Sequence, residues 1–154
     1  MQSYDDTISN FVQLLNKLVE APKFTFKKVK STDVPKRPGN YLITSSSGVV
    51  YIGTSGNLNR RILNQHKLGN IGGSNFRRTV AIHFLMETTK ETSPELEAKI
   101  SQYILQNFSF QYILIDDYVE RIKFEHFATA ILSPILNLLP QKIEKAVGSN
   151  TSIS

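Results

Sequence analysis

A glutamate in the C-terminal third of the sequence is a candidate metal ligand. Glu125 lies in a stretch of helical periodicity and shares a face with Ile122, Thr129 and Leu132. A carboxylate on an apolar face loses hydration free energy unless a partner compensates for that loss. Mg²⁺ or Mn²⁺ would compensate, and one carboxylate together with water and substrate oxygens suits Mg²⁺. A buried ion pair with an arginine is the alternative interpretation.

Three other side chains have the chemistry needed to act on a phosphodiester. Arg61 can present a planar guanidinium to a phosphate, which lowers the barrier if the contact strengthens in the transition state. Tyr41 and Tyr51 lie in two short apolar runs, so their hydroxyls reach one spot if the register of neighbouring strands allows it. The pKa of a free tyrosine is about 10, so base catalysis requires a cation that lowers it. The alternatives are a surface arginine and two core tyrosines.

A predicted hairpin followed by a helix would hold these residues. Two apolar runs at 41–43 and 49–52 flank a Ser-Ser-Ser-Gly linker, which has the length and composition of a hairpin turn. A glycine ends the second run, and Thr and Asn residues that favour helix starts come next. The sequence therefore predicts two adjacent strands and then a helix over residues 57–66 that carries an arginine pair in its first turns.

The motif in this stretch resembles the GIY-YIG nuclease superfamily. Gly39-Asn40-Tyr41 stands where the family has Gly-Ile-Tyr, and Tyr51-Ile52-Gly53 stands where it has Tyr-Ile/Val-Gly. Arg61 falls at the position of the family's helix arginine, and Glu125 and Asn137 follow downstream like the family's glutamate and asparagine. The resemblance covers most of the chain, and five elements in the right order make a fairly specific signal.

The resemblance implies both a fold and a mechanism. The implied fold is α+β, a small twisted antiparallel sheet flanked by helices, with the two motif strands near its centre. Tyr41 would be the general base or would position the attacking water, and Tyr51 would orient water or phosphate. Glu125 would hold a single Mg²⁺ or Mn²⁺. Asn137 would anchor the helix end on the metal side or a phosphate by hydrogen bonding, and a simple turn residue is its alternative.

Two positions depart from the family pattern. Asn40 replaces the usual isoleucine, and we expect little effect on the chemistry because Tyr41 is kept. Many members have histidine or tyrosine four residues after the helix arginine, where this chain has Gln65 followed by His66. On an ideal helix Gln65 lies about 40° from Arg61 and His66 about 140° away. We therefore expect Gln65 at the site, and His66 only if the end of the helix is distorted.

The positive charge of the chain favours a polyanionic partner, most simply nucleic acid. The formal net charge is +5, and the sequence pI is about 9.5. The basic residues that we expect to contact nucleic acid are Lys36, Arg37, Arg60, Lys67, Arg77 and Arg78. Some family members have a similar Ser-x-Phe/Leu-Arg-Arg segment around Arg77, which supports phosphate contact there. A solvated basic loop is the alternative for Lys36 and Arg37.

We expect one nuclease-like domain with additions at both ends. Residues 1–30 would form an amphipathic helix and a basic strand or loop, residues 31–140 the nuclease domain, and residues 141–154 a tail. The N-terminal helix would pack on the domain or bind a partner. The chain has no cysteine and no apolar run of about eighteen residues, so we expect a cytoplasmic protein without a membrane partner.

The leading functional hypothesis is a metal-dependent endonuclease that hydrolyses phosphodiester bonds in DNA, expected to be double-stranded, by direct attack of water. An enzyme that cuts both strands would act as a homodimer or nick them in turn. A non-cleaving nucleic-acid-binding module on the same fold is one alternative, and Gln65 supports it. The other is an interaction domain that uses the N-terminal amphipathic helix, which predicts no salt-sensitive DNA binding.

Overall fold

The computed structural model describes residues 3–138, which form a four-stranded antiparallel sheet with helices packed on both faces. The strands are β1 (Phe24–Thr25), β2 (Gly39–Ser45), β3 (Gly48–Ser55) and β4 (Ser109–Leu114). The helices are α1 (Tyr4–Glu20), α2 (Asn75–His83), α3 (Pro94–Asn107), α4 (Tyr118–Leu132) and α5 (Ile135–Leu138), with a π-helix at Arg60–Lys67 and a 3₁₀ turn at Ser31–Asp33. The expected α+β class is confirmed, as is the extra N-terminal helix. The expected tail at 141–154 lies outside the described residues.

The hairpin expected from the sequence joins β2 to β3. The pair Ser45 and Gly48 closes a two-residue loop, and Gly48 has a φ of +122°, in the region that favours glycine. The order of strands is β1-β4-β2-β3, so β2 is central and β3 is an edge strand. The expectation that both motif strands lie near the centre is therefore wrong for β3. The reason is that β4 pairs with the free side of β2, and β1 extends the sheet beyond β4.

Alternation along β2 sends neighbouring side chains to two separate cores. Tyr41 and Ile43 point to the face covered by the π-helix, α2, α3 and α5. Leu42 points to the face covered by α1 and α4, where it packs in one cluster with Leu18 and Phe124. The central motif strand therefore contributes to both sides of the molecule.

The N-terminal helix α1 packs on the domain. Leu18 is fully buried, and the ring of Phe11 lies 6.4 Å from that of Phe124 and 5.4 Å from that of Phe127. Gln111 on β4 also donates hydrogen bonds to the carbonyls of Val19 and Ala21 at the end of α1. Between residues 3 and 138, no helix has both the length and the apolar character needed to cross a membrane.

Candidate active site

The two motif tyrosines lie side by side, as expected from the sequence. The ring centroids of Tyr41 and Tyr51 are 6.3 Å apart. Tyr41 is opposite Gly53 in the strand register, and its ring crosses directly over that residue. A Cβ atom at position 53 would lie 2.3 Å from both Cζ and Oη of Tyr41. Gly53 is therefore required because the tyrosine ring occupies the space of a side chain, not because of its backbone conformation.

His66, not Gln65, contacts the central tyrosine. His66 Nε2 lies 2.6 Å from Tyr41 Oη, and His66 Nδ1 lies 2.7 Å from Ser74 Oγ, the N-cap of α2. Residues 60–67 form a π-helix, whose wider turns rotate His66 towards the sheet, which is the distortion under which His66 was expected at the site. The expectation of Gln65 at the site stays a prediction. Gln65 is half-buried and lines a shallow pocket with Arg60 and Arg61.

The ionisation of the site is dominated by burial. Burial, with the charges of Arg61 and Arg77, lowers the pKa of His66 from 6.5 to about 3. Burial also raises the pKa of Tyr41 well above 10.0, with Tyr51 and Glu125 adding to this effect and Arg61 opposing it. At neutral pH a neutral imidazole therefore bonds a protonated phenol.

The buried neutral histidine predicts a pH-dependent stability. The unfolded chain binds a proton at His66 near pH 6.5, whereas the folded chain does so only near pH 3. The unfolded state thus binds more protons in this window, and stability falls as the pH is lowered through it. We expect the free energy of unfolding to drop by about 2 kcal/mol more in the wild type than in His66→Gln between pH 8 and pH 5. Urea unfolding at both pH values measures this, and parallel losses in the two proteins would contradict it.

Arg61 and Glu125 complete the cluster from two further elements, the π-helix and α4. Glu125 is half-buried, and burial raises its pKa, while His126 and Arg61 oppose that rise. Burial is the main cause of the raised pKa of both tyrosines, and the negative charge of Glu125 raises both pKa values further. The charged groups of Arg61 and Glu125, from two elements, thus lie close enough to both tyrosines, from two others, to affect the pKa of each hydroxyl.

The side chains of Arg61 and Glu125 are available to a ligand. Among residues 3–138, neither makes a side-chain hydrogen bond, and Arg61 Nε is buried without a partner. Within the described residues, the alternative of an ion pair between Glu125 and an arginine is not formed. No group of three or more acidic or histidine side chains that could hold a metal occurs in the described part of the chain. A half-buried carboxylate without a partner suits one hard divalent cation whose other ligands are water and phosphate oxygens.

Asn137 forms hydrogen bonds with the main chain of the second motif strand. Its Oδ1 accepts a hydrogen bond from the N–H of Ile52 at 2.9 Å, and its Nδ2 donates to the carbonyl of the same residue at 2.8 Å. Both polar groups of the carboxamide are therefore used by the outer side of β3. Asn137 thus anchors the short helix α5, which follows α4, to β3, and its expected role at the metal-side helix end stays a prediction. The alternative of a phosphate contact is not supported, because both polar groups of the carboxamide are already bonded.

The basic residues expected to contact nucleic acid divide into surface and buried groups. Lys36, Arg37, Arg60 and Arg78 are exposed and Lys67 is half-buried. The N–H of Leu58 donates to the carbonyl of Arg37, which holds the basic loop against the start of the π-helix. The exposed cations of these two segments, Lys36, Arg37 and Arg60, are the basic surface, in which Arg37 Nη2 also lies 3.5 Å from a carboxylate oxygen of Asp116.

Arg77 does not belong to this surface, so the expectation of phosphate contact there is wrong. Its exposed fraction is 0%, and its guanidinium donates to the carbonyls of His66, Lys67 and Glu97 at 2.9–3.1 Å. It also donates to Ser101 Oγ at 3.0 Å. The carbonyls of His66 and Lys67 lie at the end of the π-helix, where helical donors are lacking, so Arg77 caps that helix and, through Glu97, ties it to α3.

The sequence did not indicate that Ser74 belongs to the site, where it contacts His66. The sequence signal of a helix cap was present, since Ser74 precedes an apolar-periodic helix and reads as an N-cap. The cap is formed, with the N–H of Arg77 donating to Ser74 Oγ at 3.1 Å. The same oxygen meets His66, which no local pattern indicates.

Comparison with known proteins identifies a family for this chain. A model of the GIY-YIG catalytic domain matches residues 21–151, whereas no curated protein matches the chain. Similar solved structures include the GIY-YIG N-terminal endonuclease domain of UvrC from Thermotoga maritima. Its magnesium-bound form is 16% identical and has a TM-score of 0.38, over 82% of this chain and 97% of that one. A point mutant of it bound to its catalytic divalent cation is 15% identical with a TM-score of 0.38, over 68% and 87% of the two chains.

The family match covers most of the chain and includes every motif residue described above. It extends across the hairpin, the π-helix and α4, the elements that bring Tyr41, Tyr51, Arg61 and Glu125 together. The chain belongs to the GIY-YIG catalytic domain family, and its fold is a nuclease fold.

Proposed function

We propose that the protein is a metal-dependent endonuclease that hydrolyses phosphodiester bonds in DNA. The observation that carries this proposal is the cluster of Tyr41, Tyr51, Arg61 and Glu125, drawn from four elements, in which the charges of Arg61 and Glu125 act on the pKa of both tyrosines. Membership of a catalytic domain family supports a nuclease. The basic surface beside the cluster supports a polyanionic substrate.

Arg61 and the two tyrosines have separate tasks in the proposed reaction. The guanidinium of Arg61, which has no hydrogen-bond partner among residues 3–138, binds the scissile phosphate and stabilises the charge that grows on its oxygens as water attacks phosphorus. Burial keeps the tyrosine hydroxyls protonated at neutral pH, so they orient water and phosphate by hydrogen bonding and do not act as free bases. The attacking water gives up a proton to solvent, the bond from phosphorus to the leaving oxygen breaks, and that oxygen takes up a proton from solvent. The products are a phosphate monoester end and a hydroxyl end.

Glu125 would hold the divalent cation. Its half-buried carboxylate has no hydrogen-bond partner among residues 3–138 and stands next to Arg61. When bound there, Mg²⁺ or Mn²⁺ would supply Lewis-acid stabilisation of phosphate charge. Because it is the one carboxylate in the cluster, removing its charge removes the site for the cation.

His66 holds the hydroxyl of Tyr41 in place by a hydrogen bond. It is fully buried between Tyr41 and Ser74, which fixes the direction of the tyrosine hydroxyl. Because its pKa is about 3, His66 stays neutral at physiological pH. The hydrogen bond between His66 and Tyr41 therefore joins the same two neutral groups throughout that pH range.

Cleavage of supercoiled plasmid and of a single-stranded oligonucleotide, with Mg²⁺, Mn²⁺ or EDTA, tests the proposal. We expect cutting only with a divalent cation and its loss in Glu125→Gln. Arg61→Ala should slow the reaction about a hundredfold or more, because it removes a donor that stabilises transition-state charge. Lys99→Ala is the matched control, since Lys99 is a cation of α3 paired with Glu87, and it should cut like the wild type.

A non-cleaving DNA-binding module is the second candidate. The observation in its favour is the burial of Tyr41, whose exposed fraction is 1% and whose hydroxyl already bonds His66. It predicts binding that weakens steeply with salt and no cutting with any cation. Salt-sensitive binding by a wild type that leaves the plasmid intact would replace the endonuclease with this module.

A further inference from the structure

We infer that Asn40 is a positioning residue for Glu125, an inference that rests on the proposed function. Asn40 is fully buried on β2, with an exposed fraction of 0%. Its Nδ2 donates a 3.1 Å hydrogen bond to the carbonyl of Arg121 in α4. The next residue, Tyr41, points to the opposite face of the sheet. One motif residue thus binds the helix of the metal ligand while its neighbour forms part of the site.

The carbonyl that Asn40 binds lies one helical turn before Glu125. In an α-helix the C=O of residue 121 is the acceptor for the N–H of residue 125. The side chain of Asn40 and the main chain of Glu125 therefore share one oxygen atom. This contact fixes the position of that turn of α4 relative to β2. It thereby fixes the distance between Glu125 and Tyr41.

The side chain of Arg121 ties the same turn to β4. Its Nη1 donates to the carbonyls of Ile115 and Asp116 at 3.1 and 2.8 Å, in the link between β4 and α4. The N–H of Ile115 in turn donates to the carbonyl of Pro38, just before β2. The start of α4 is thus anchored twice, and Asn40 is the anchor that comes from the motif strand. Such outer hydrogen bonds orient metal ligands and strongly affect metal affinity.

Packing alone does not explain an asparagine at this position. Among residues 3–138, Asn40 Oδ1 has no hydrogen-bond partner, and neither has Thr54 Oγ1 on the opposite strand. A buried amide that is only half satisfied costs free energy, which an apolar side chain of the same size would avoid. Without Asn40 the carbonyl of Arg121 keeps its helical donor. The polar side chain therefore contributes the link to α4 and little net stability.

The test compares Asn40→Leu, a substitution of similar volume, with the wild type. We expect the dissociation constant for Mn²⁺, followed by electron paramagnetic resonance, to rise about tenfold. The Mg²⁺ concentration for half-maximal cleavage should rise in parallel, and kcat should fall with KM for DNA unchanged. The Glu125 amide resonance should shift, because its acceptor loses a second donor. The free energy of unfolding in urea should not decrease.

Gln111→Met is the matched control. Gln111 is also a buried amide on this face of the sheet, but it binds the carbonyls of α1, not α4. We expect this variant to lose stability and to keep the Mn²⁺ affinity of the wild type. In a Glu125→Gln background, Asn40→Leu should have no further effect on Mn²⁺ binding.

The outcomes separate the inference from the function on which it rests. A wild type that binds Mn²⁺ and cuts DNA, with Asn40→Leu of equal Mn²⁺ affinity and kcat, would overturn the positioning role alone. Equal losses of Mn²⁺ affinity in Asn40→Leu and Gln111→Met would also overturn it, since general destabilisation would then explain both. A wild type that neither binds Mn²⁺ nor cuts DNA would overturn the proposed function and the inference together.

Discussion

Gly53→Ala is expected to lower the free energy of unfolding by about 3 kcal/mol, since overpacking a filled core has this order of cost. The added methyl group would lie 2.3 Å from Tyr41 Cζ and Oη, so either the ring or the hairpin has to move. The ring cannot turn freely because its hydroxyl is bonded to His66. We expect displacement of Tyr41 and a loss of cleavage of about a thousandfold, measured with urea unfolding and plasmid cutting.

Two controls make this prediction specific. An ideal Cβ at Gly56 meets nothing within 4 Å, so Gly56→Ala should leave the free energy of unfolding unchanged. In a Tyr41→Leu background, Gly53→Ala should cost much less, because the atoms that it meets have been removed. A Gly53→Ala protein with wild-type stability would show that the ring does not fill this space.

Arg77→Met is expected to be the most destabilising substitution of a charged residue, at about 3–5 kcal/mol. The change leaves the carbonyls of His66 and Lys67 without the donor that ends the π-helix. It also leaves the half-buried carboxylate of Glu97 without the guanidinium 3.4 Å away. Urea unfolding of the variant and the wild type measures the difference.

The neighbouring arginine provides the comparison for Arg77. Arg78 is exposed, and within residues 3–138 its side chain makes one hydrogen bond, to the carbonyl of Ile71, so Arg78→Met should change stability by less than about 0.5 kcal/mol. Arg77→Lys should not restore stability, since an ammonium cannot reach the separate acceptors that the guanidinium fork spans. Similar losses in the Arg77 and Arg78 variants would contradict the assignment of Arg77 as a cap.

Local chemistry made much of this fold predictable from the sequence. The Ser-Ser-Ser-Gly linker, the capping serines and the periodicity of α4 each act over a few residues, and the hairpin and helix starts follow from them. The order of strands does not follow from local chemistry. The alternation of side chains along β4 specifies which of them are buried but not which strand β4 pairs with. That pairing is set by contacts between residues about 70 apart in sequence, such as Tyr41 and Tyr112.

The hairpin was predictable from the sequence, but the convergence of Tyr41 and Tyr51 was predictable only on condition of a suitable register. The register shifts by one residue between Ile43 and Thr44, so Tyr51 pairs with Ile43 and shares the face of Tyr41. The place of His66 was not predictable, because an ideal helical repeat excludes it and the π-helix depends on distant contacts with Tyr41 and Arg77. Arg77 was misjudged for a related reason, since a basic side chain is ordinarily assumed to be solvated.

The carboxamide of Asn137 has a consequence for association between copies of the protein. An edge strand exposes unpaired main-chain groups that can template the addition of a strand from another molecule. At Ile52 the side chain of Asn137 occupies both of these groups, as a neighbouring strand would, and α5 packs against β3 beside it. One amide side chain thereby blocks sheet-to-sheet aggregation at the middle of β3, next to the motif tyrosine, without placing a charge there.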